Sequence, residues 1–176
     1  RWMWVDRFTE FVSGRRARAV KNVSLTDETV DLYMPGFPVM PCSVIVEGLA
    51  QTGGILVSEF KSYEKEVVLA KVSKAVFQRP ALPGDTMAYT AEIADVQREG
   101  AMIRGTSHIG DELHAEIELF FAYLGGELGE LELITPADLL GMIRLFGLYD
   151  VAVDDQGQPL QPPEPLLDAE RRAASA

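Results

Sequence analysis

The sequence predicts an α+β protein in which an antiparallel sheet wraps around one long central helix, followed by a C-terminal helical extension. Two observations carry this. Ser43 to Tyr63 is an apolar run of about five helical turns, fed by a loop with four helix breakers, Pro35, Gly36, Pro38 and Pro41. Around it lie about six extended runs joined by tight turns such as Ser13-Gly14, Glu99-Gly100 and Gly110-Asp111. Consecutive strands joined so tightly must pair antiparallel, and they need an apolar partner for their inner face.

Taken in order, Asp6 to Val12 and Arg15 to Ser24 are the first two strands, with Ala17, Ala19 and Val23 alternating with Arg16, Arg18 and Asn22. Thr26 and Asp27 cap a short helix that leads into Tyr33. In the long helix, Ile45, Leu49, Thr52, Leu56 and Phe60 mark one face, yet Val44, Val46, Ala50, Ile55 and Val57 fill most of the others. Such a helix is wrapped on several sides. Gly53-Gly54 within it costs roughly 1 kcal/mol per residue relative to Ala and implies close helix-to-sheet contact. Val67 to Phe77, Thr86 to Val96, Met102 to Ile109 and Glu112 to Leu124 complete the strands, with Pro80 to Asp85 as a turn.

Residues 125–176 differ in character. Gly125 to Glu130 reads as a flexible acidic link. Thr135 is a helix cap, Pro136 suits the first helical position, and Asp138 lies near the positive end of the helix dipole. Leu139, Leu140, Met142, Ile143, Leu145, Phe146 and Leu148 make this helix apolar nearly all round, so it should dock on the body, on another subunit or over a substrate entrance. The Pro-rich tail with Pro159, Pro162, Pro163 and Pro165 is expected to be disordered at its end. The expected division is therefore 1–124 and 125–176.

At 176 residues with 47% hydrophobic and 24% charged side chains, the chain suits one globular domain with a tail. No stretch reaches the roughly 18 to 20 apolar residues of a membrane span, and the start lacks the apolar region of a signal peptide, so a cytoplasmic protein is expected. The single cysteine, Cys42, agrees with a reducing compartment. A net charge of −11 argues against nucleic acid, although basic clusters persist at Arg15, Arg16, Arg18 and Lys21 and at Lys71, Lys74 and Arg79. Each is either a solvated strand face or a landing patch for an acidic partner.

Two polar residues, Glu47 and Gln51, interrupt the first half of the central helix one turn apart. Either Glu47 is satisfied by the free N–H groups of the first turn, or it is a carboxyl poised for acid–base chemistry at the mouth of an apolar cavity. His108 and His114 fall in the late strands and read as a surface and a strand-face histidine.

The run from Tyr33 through Pro35-Gly36-Phe37-Pro38-Val39-Met40-Pro41-Cys42 to Glu47 and Gln51 resembles, without a gap, the signature of the hotdog-fold (3R)-hydroxyacyl-acyl-carrier-protein dehydratases. The likeness extends to Val5-Asp6-Arg7 and Ala19 to Ser24 upstream and to Lys74 to Asp85 downstream, covering about the first 124 residues. Tyr33 stands where the family has its catalytic His, and Cys42 where it has Gly.

The resemblance implies a hotdog fold and dehydration of 3-hydroxyacyl thioesters linked to acyl carrier protein or coenzyme A, with Glu47 and Tyr33 as the catalytic pair. It implies Cys42, Gln51, Gly36, Pro41 and Phe77 as substrate-binding residues, the Cys42 backbone N–H polarising the thioester carbonyl, and neither metal nor organic cofactor. A homodimer, alone or as a trimer of dimers, is expected, with the His-position residue of one subunit facing the helix Glu of the other. A hotdog thioesterase and a non-catalytic acyl- or carrier-binding homologue are the alternatives.

Overall fold

A computed structural model, describing residues 3–125 and 134–175, places seven strands in one sheet in the order β3-β6-β5-β4-β2-β1-β7. β1 (Arg7–Val12) and β2 (Arg16–Asn22) form the first hairpin, and β3 (Val67–Phe77), β4 (Thr86–Val96), β5 (Gly100–Ile109) and β6 (Glu112–Tyr123) follow the central helix. All pairs among these six are antiparallel; the tight turns require this of β1–β2, β4–β5 and β5–β6, whereas β2–β4 and β3–β6 join strands distant in sequence and β3 and β4, either side of the Pro80 to Asp85 turn, do not pair. α1 (Glu28–Tyr33) is short, and Asp27 sits at its N-cap without a side-chain capping bond, so the expected cap chemistry is not used.

α2 (Cys42–Phe60) packs against β2, β3, β4, β5 and β6. Ile45, Leu49 and Leu56 are almost wholly buried, together with Tyr89, Ile103, Ile117 and Leu119 of the sheet. This sheet wrapped on a helix is the hotdog arrangement. Helix and sheet meet so closely at Gly48 that a Cβ there would lie 2.6 Å from the Tyr89 ring and 2.8 Å from the Trp4 carbonyl oxygen. Gly53 and Gly54 likewise face Ile103 and Phe121, which accounts for the paired glycines. The helix ends at Phe60, earlier than Tyr63, because Ser62 and Tyr63 adopt left-handed backbone (φ 54 and 56).

Among the described residues β3 is the end strand, hydrogen-bonded to β6 alone. Most of its residues are exposed, including Leu69, Val72 and Val76. An eleven-residue edge that no other described residue pairs with offers a row of backbone donors and acceptors.

The link expected over Gly125 to Glu130 lies, Gly125 apart, outside the described residues. α3 (Pro136–Leu145) begins as expected, with the Thr135 hydroxyl accepting from the Asp138 N–H at 3.1 Å. It stops at Leu145, and Leu148 falls in a separate 3-10 turn (Leu148–Asp150) after left-handed Gly147. Leu140, Ile143, Phe146 and Leu148 are buried. The Phe146 ring lies 6.2 Å from that of Phe8, and the Phe146 carbonyl accepts from the Phe8 N–H at 2.8 Å.

Two elements depart from the sequence reading. β7 (Ala152–Val153) adds parallel to β1, and the tail expected to be disordered forms α4 (Glu164–Ala174). Leu166 is buried and Arg144 of α3 pairs with Glu170 of α4, so packing on α3 orders a segment whose composition alone suggests disorder. The Pro residues serve as its entry: Pro163 is the N-cap and Pro165 lies in the first turn.

Candidate active site

α2 begins directly after Pro41, whose φ of −58 and missing N–H suit a helix start. Glu47 lies beyond the first turn, which carries no acidic residue, so the capping explanation for it fails. Its carboxylate instead accepts a hydrogen bond from Gln51 Nε2 at 3.0 Å. Gln51 Oε1 in turn accepts from the Trp4 backbone N–H at 2.9 Å. This chain of bonds fixes the amide orientation and, through it, the carboxylate. Both residues are partly buried.

Glu47 and Gln51 line a groove of about 540 Å³ that follows α2 past Gly54, Ile55 and Ser58. Val67, Leu69 and Phe121 of the sheet form one side, and Leu139, Met142 and Leu166 of the extension form another. A carboxylate in a groove whose walls join apolar side chains to the polar Ser58, Glu64, Lys65 and Glu66 can abstract a proton from a bound carbon acid.

A second groove of about 460 Å³ contains Tyr33, Cys42 and Phe77, with Met34, Phe37 and Ile45. Tyr33 ends α1 and is 57% exposed. Cys42, exposed, is the first residue of α2, where backbone N–H groups have no intrahelical acceptor. Gly36 is an exposed turn residue at φ +84, and Pro41 is buried beneath the helix start. The sequence-derived residues therefore divide: Glu47 and Gln51 open onto one groove, Tyr33, Cys42 and Phe77 onto the other, while Gly36 and Pro41 shape the loop between α1 and α2. Within one chain the two catalytic candidates do not share a groove, because Ile45 and Glu47 point to different sides of α2.

His114 is not merely a strand-face residue. It is fully buried, its Nδ1 lies 3.0 Å from the Ser107 hydroxyl, and its ring meets that of Phe77 edge-on at 6.3 Å. Burial, reinforced by the Arg79 charge, holds its pKa below the ordinary value. Tyr63, on the wall of the Glu47 groove, has its phenol pushed up by burial, with Tyr149 and Glu59 alongside. Leu139, Met142, Leu166 and Tyr63 were not picked out as site residues by sequence; the only signal was the all-round apolar character of α3.

The basic clusters are largely committed to neighbours. Arg16 pairs with Glu10, Lys21 with Asp6 at 3.2 Å, Lys74 with Glu116 at 3.3 Å and Arg79 with Asp85 at 3.0 Å. Among the described residues no helix is long and apolar enough to cross a membrane.

Comparison with known proteins agrees with this geometry. The family model described as FabA-like domain matches residues 2–117. The FabZ 3-hydroxyacyl-acyl-carrier-protein dehydratase of Symbiobacterium thermophilum is 37% identical over 122 residues, covering 69% of this chain and 86% of the relative. The FabZ dehydratase of Desulforamulus reducens is 33% identical with the same coverage. Among solved structures, the dehydratase heterocomplex ApeI:P from Xenorhabdus doucetiae superposes with a TM-score of 0.60 at 13% identity, over 72% of this chain and 86% of that one, a likeness of fold. A match over most of the hotdog body, with relatives above 30% identity, decides the kinship: the chain belongs to the FabA-like family of 3-hydroxyacyl-acyl-carrier-protein dehydratases.

Proposed function

We propose that this protein dehydrates 3-hydroxyacyl thioesters to trans-2-enoyl thioesters in fatty acid or related lipid synthesis, using Glu47 and Tyr33. The observation that carries this reading is Glu47, held by Gln51 in a groove walled by Ile55, Val67, Leu139 and Met142, in a chain whose relatives are named as dehydratases of acyl-carrier-protein substrates. Glu47 takes the C2 proton, the electron pair becomes the C2–C3 double bond, and the departing C3 hydroxyl takes the Tyr33 phenol proton and leaves as water. A carboxylic acid and a phenolate remain. The proton then returns from the Glu47 carboxylic acid to the Tyr33 phenolate, and both are reset. No electron leaves the substrate, so the balance requires neither redox cofactor nor metal. The Cys42 backbone N–H, at a helix N-terminus, stabilises negative charge on the thioester oxygen.

The active unit is a homodimer joined at β3, so that Tyr33 and Cys42 of one protomer face Glu47 of the other. The separate grooves and the long β3 edge, unpaired among the described residues, support this arrangement. The acyl group arrives on an acidic carrier protein. Lys71, Lys74 and Arg79 supply its landing site, since exposed pairs such as Lys74–Glu116 contribute only about 0–1 kcal/mol and exchange readily. The single Cys42 is in keeping with a cytoplasmic setting.

Incubation with a 3-hydroxyacyl thioester, followed by enoyl absorbance, tests this reading. Turnover that drops by about 10²-fold or more in Glu47→Gln is expected. Equal absorbance change in the two proteins overturns it, and free-thiol release without enoyl product would reassign the site to thioester hydrolysis.

A further inference from the structure

The family match ends at residue 117, yet the groove that begins at Glu47 is partly walled by residues far beyond it. Leu139 and Met142 of α3 and Leu166 of α4 face the same space as Ile55 and Val67. From Glu47 to Ser58 the groove follows the helix for eleven residues, roughly 16 Å at 1.5 Å per residue. That span accommodates an extended acyl chain of medium length.

The wall is anchored rather than loosely laid on. β7 continues the sheet beyond β1, Phe146 is tied to Phe8 by ring contact and a backbone hydrogen bond, and the Arg144–Glu170 pair joins α3 to α4. Its groove-facing residues are large and apolar. Met142 adds a flexible thioether that moulds to a bound chain without a polar demand of its own.

From this we infer that the C-terminal helices form the outer wall of the acyl groove and select substrates by acyl chain, with Leu139, Met142 and Leu166 as specificity residues. The inference rests on the proposed action on acyl thioesters. Chains that reach the extension gain apolar contact with it; shorter chains stop beside α2 and do not sense it. Differences of one methylene in such a wall discriminate about 10- to 200-fold.

The test compares kcat/KM for 3-hydroxyacyl pantetheine thioesters of short, medium and long chain. Proteins are the wild type, Met142→Ala, Leu166→Ala and Leu139→Trp, with Leu145→Ala, 57% exposed and off the groove, as control. Met142→Ala and Leu166→Ala should lower the long-to-short ratio by about tenfold, because only the longer chains lose contact. Leu139→Trp should shift it the opposite way. If the bulky variant fails to fold, the two truncating variants still decide the matter. Proportional change across all chain lengths, or no change, overturns the inference. Affinities of unreactive thioether analogues separate the two claims. A wild type that binds them in a chain-dependent way, altered by Met142→Ala, but does not turn over would keep the wall and overturn the dehydratase reading. Turnover with an unaltered chain profile would do the reverse.

Discussion

Gln51 donates to the Glu47 carboxylate at 3.0 Å and accepts from the Trp4 N–H at 2.9 Å, so a backbone group before the first strand orients an acid on the central helix. Gln51→Leu keeps the volume and removes both links. Turnover should fall by about 10- to 100-fold with KM little changed, because misorientation of the base affects the transition state more than binding. Equal losses in kcat and kcat/KM, with an unchanged melting temperature, would support this. A loss confined to stability would show that Gln51 only braces the segment before β1.

The split of Tyr33 and Glu47 between two grooves predicts complementation. Tyr33→Phe and Glu47→Gln should each be nearly inactive, while refolding an equal mixture should restore about a quarter of wild-type activity, since half the dimers are mixed and each regains one intact site. Absence of any recovery would disprove a site shared across a two-fold axis. Tyr33→His adds a further discrimination: little gain or a loss fits the Glu47–Tyr33 pair, whereas a large gain would mean that Tyr33 had silenced the site.

His114 predicts a pH dependence of stability. Its folded pKa lies below the ordinary value of 6.5, so the unfolded chain binds its proton first as the pH falls. The stability contributed by neutral, buried His114 is complete above that ordinary value and is lost progressively as the pH falls below it towards the folded pKa. The melting temperature should therefore drop between about pH 7 and pH 5, and His114→Gln should flatten that part of the profile. An unchanged slope in the variant would remove His114 as the cause.

Truncation after Leu124 removes Leu140, Ile143, Phe146, Leu148 and Leu166, all buried, and strips the cover from Phe8 and the groove. At roughly 1.5–3 kcal/mol for each fully buried side chain, less the ordering of the segment, the melting temperature should fall by roughly 10 °C or the protein should aggregate. Scanning calorimetry and light scattering check this. A soluble fragment with the parent's melting temperature would make the extension energetically idle.

The hotdog body was readable because its signals are local. Period-two alternation in Ala17 and Ala19, glycine-containing turns and an all-round apolar helix each follow from neighbouring residues, and a sheet of hairpins has one place to put such a helix. Glu47 and Gln51 stood out for the same reason, as polar groups one turn apart in an apolar run. What the sequence could not decide depends on distant contacts. The link from Trp4 to Gln51 spans 47 residues, and the burial of His114 depends on Ser107 and Phe77 in neighbouring strands. The ordering of α4 required the surface of α3, against a proline-rich composition that by itself favours disorder. Which groove Tyr33 enters likewise follows from how the loop between α1 and α2 packs, since Tyr33 lies outside the helix whose period sets Ile45 and Glu47 on different sides.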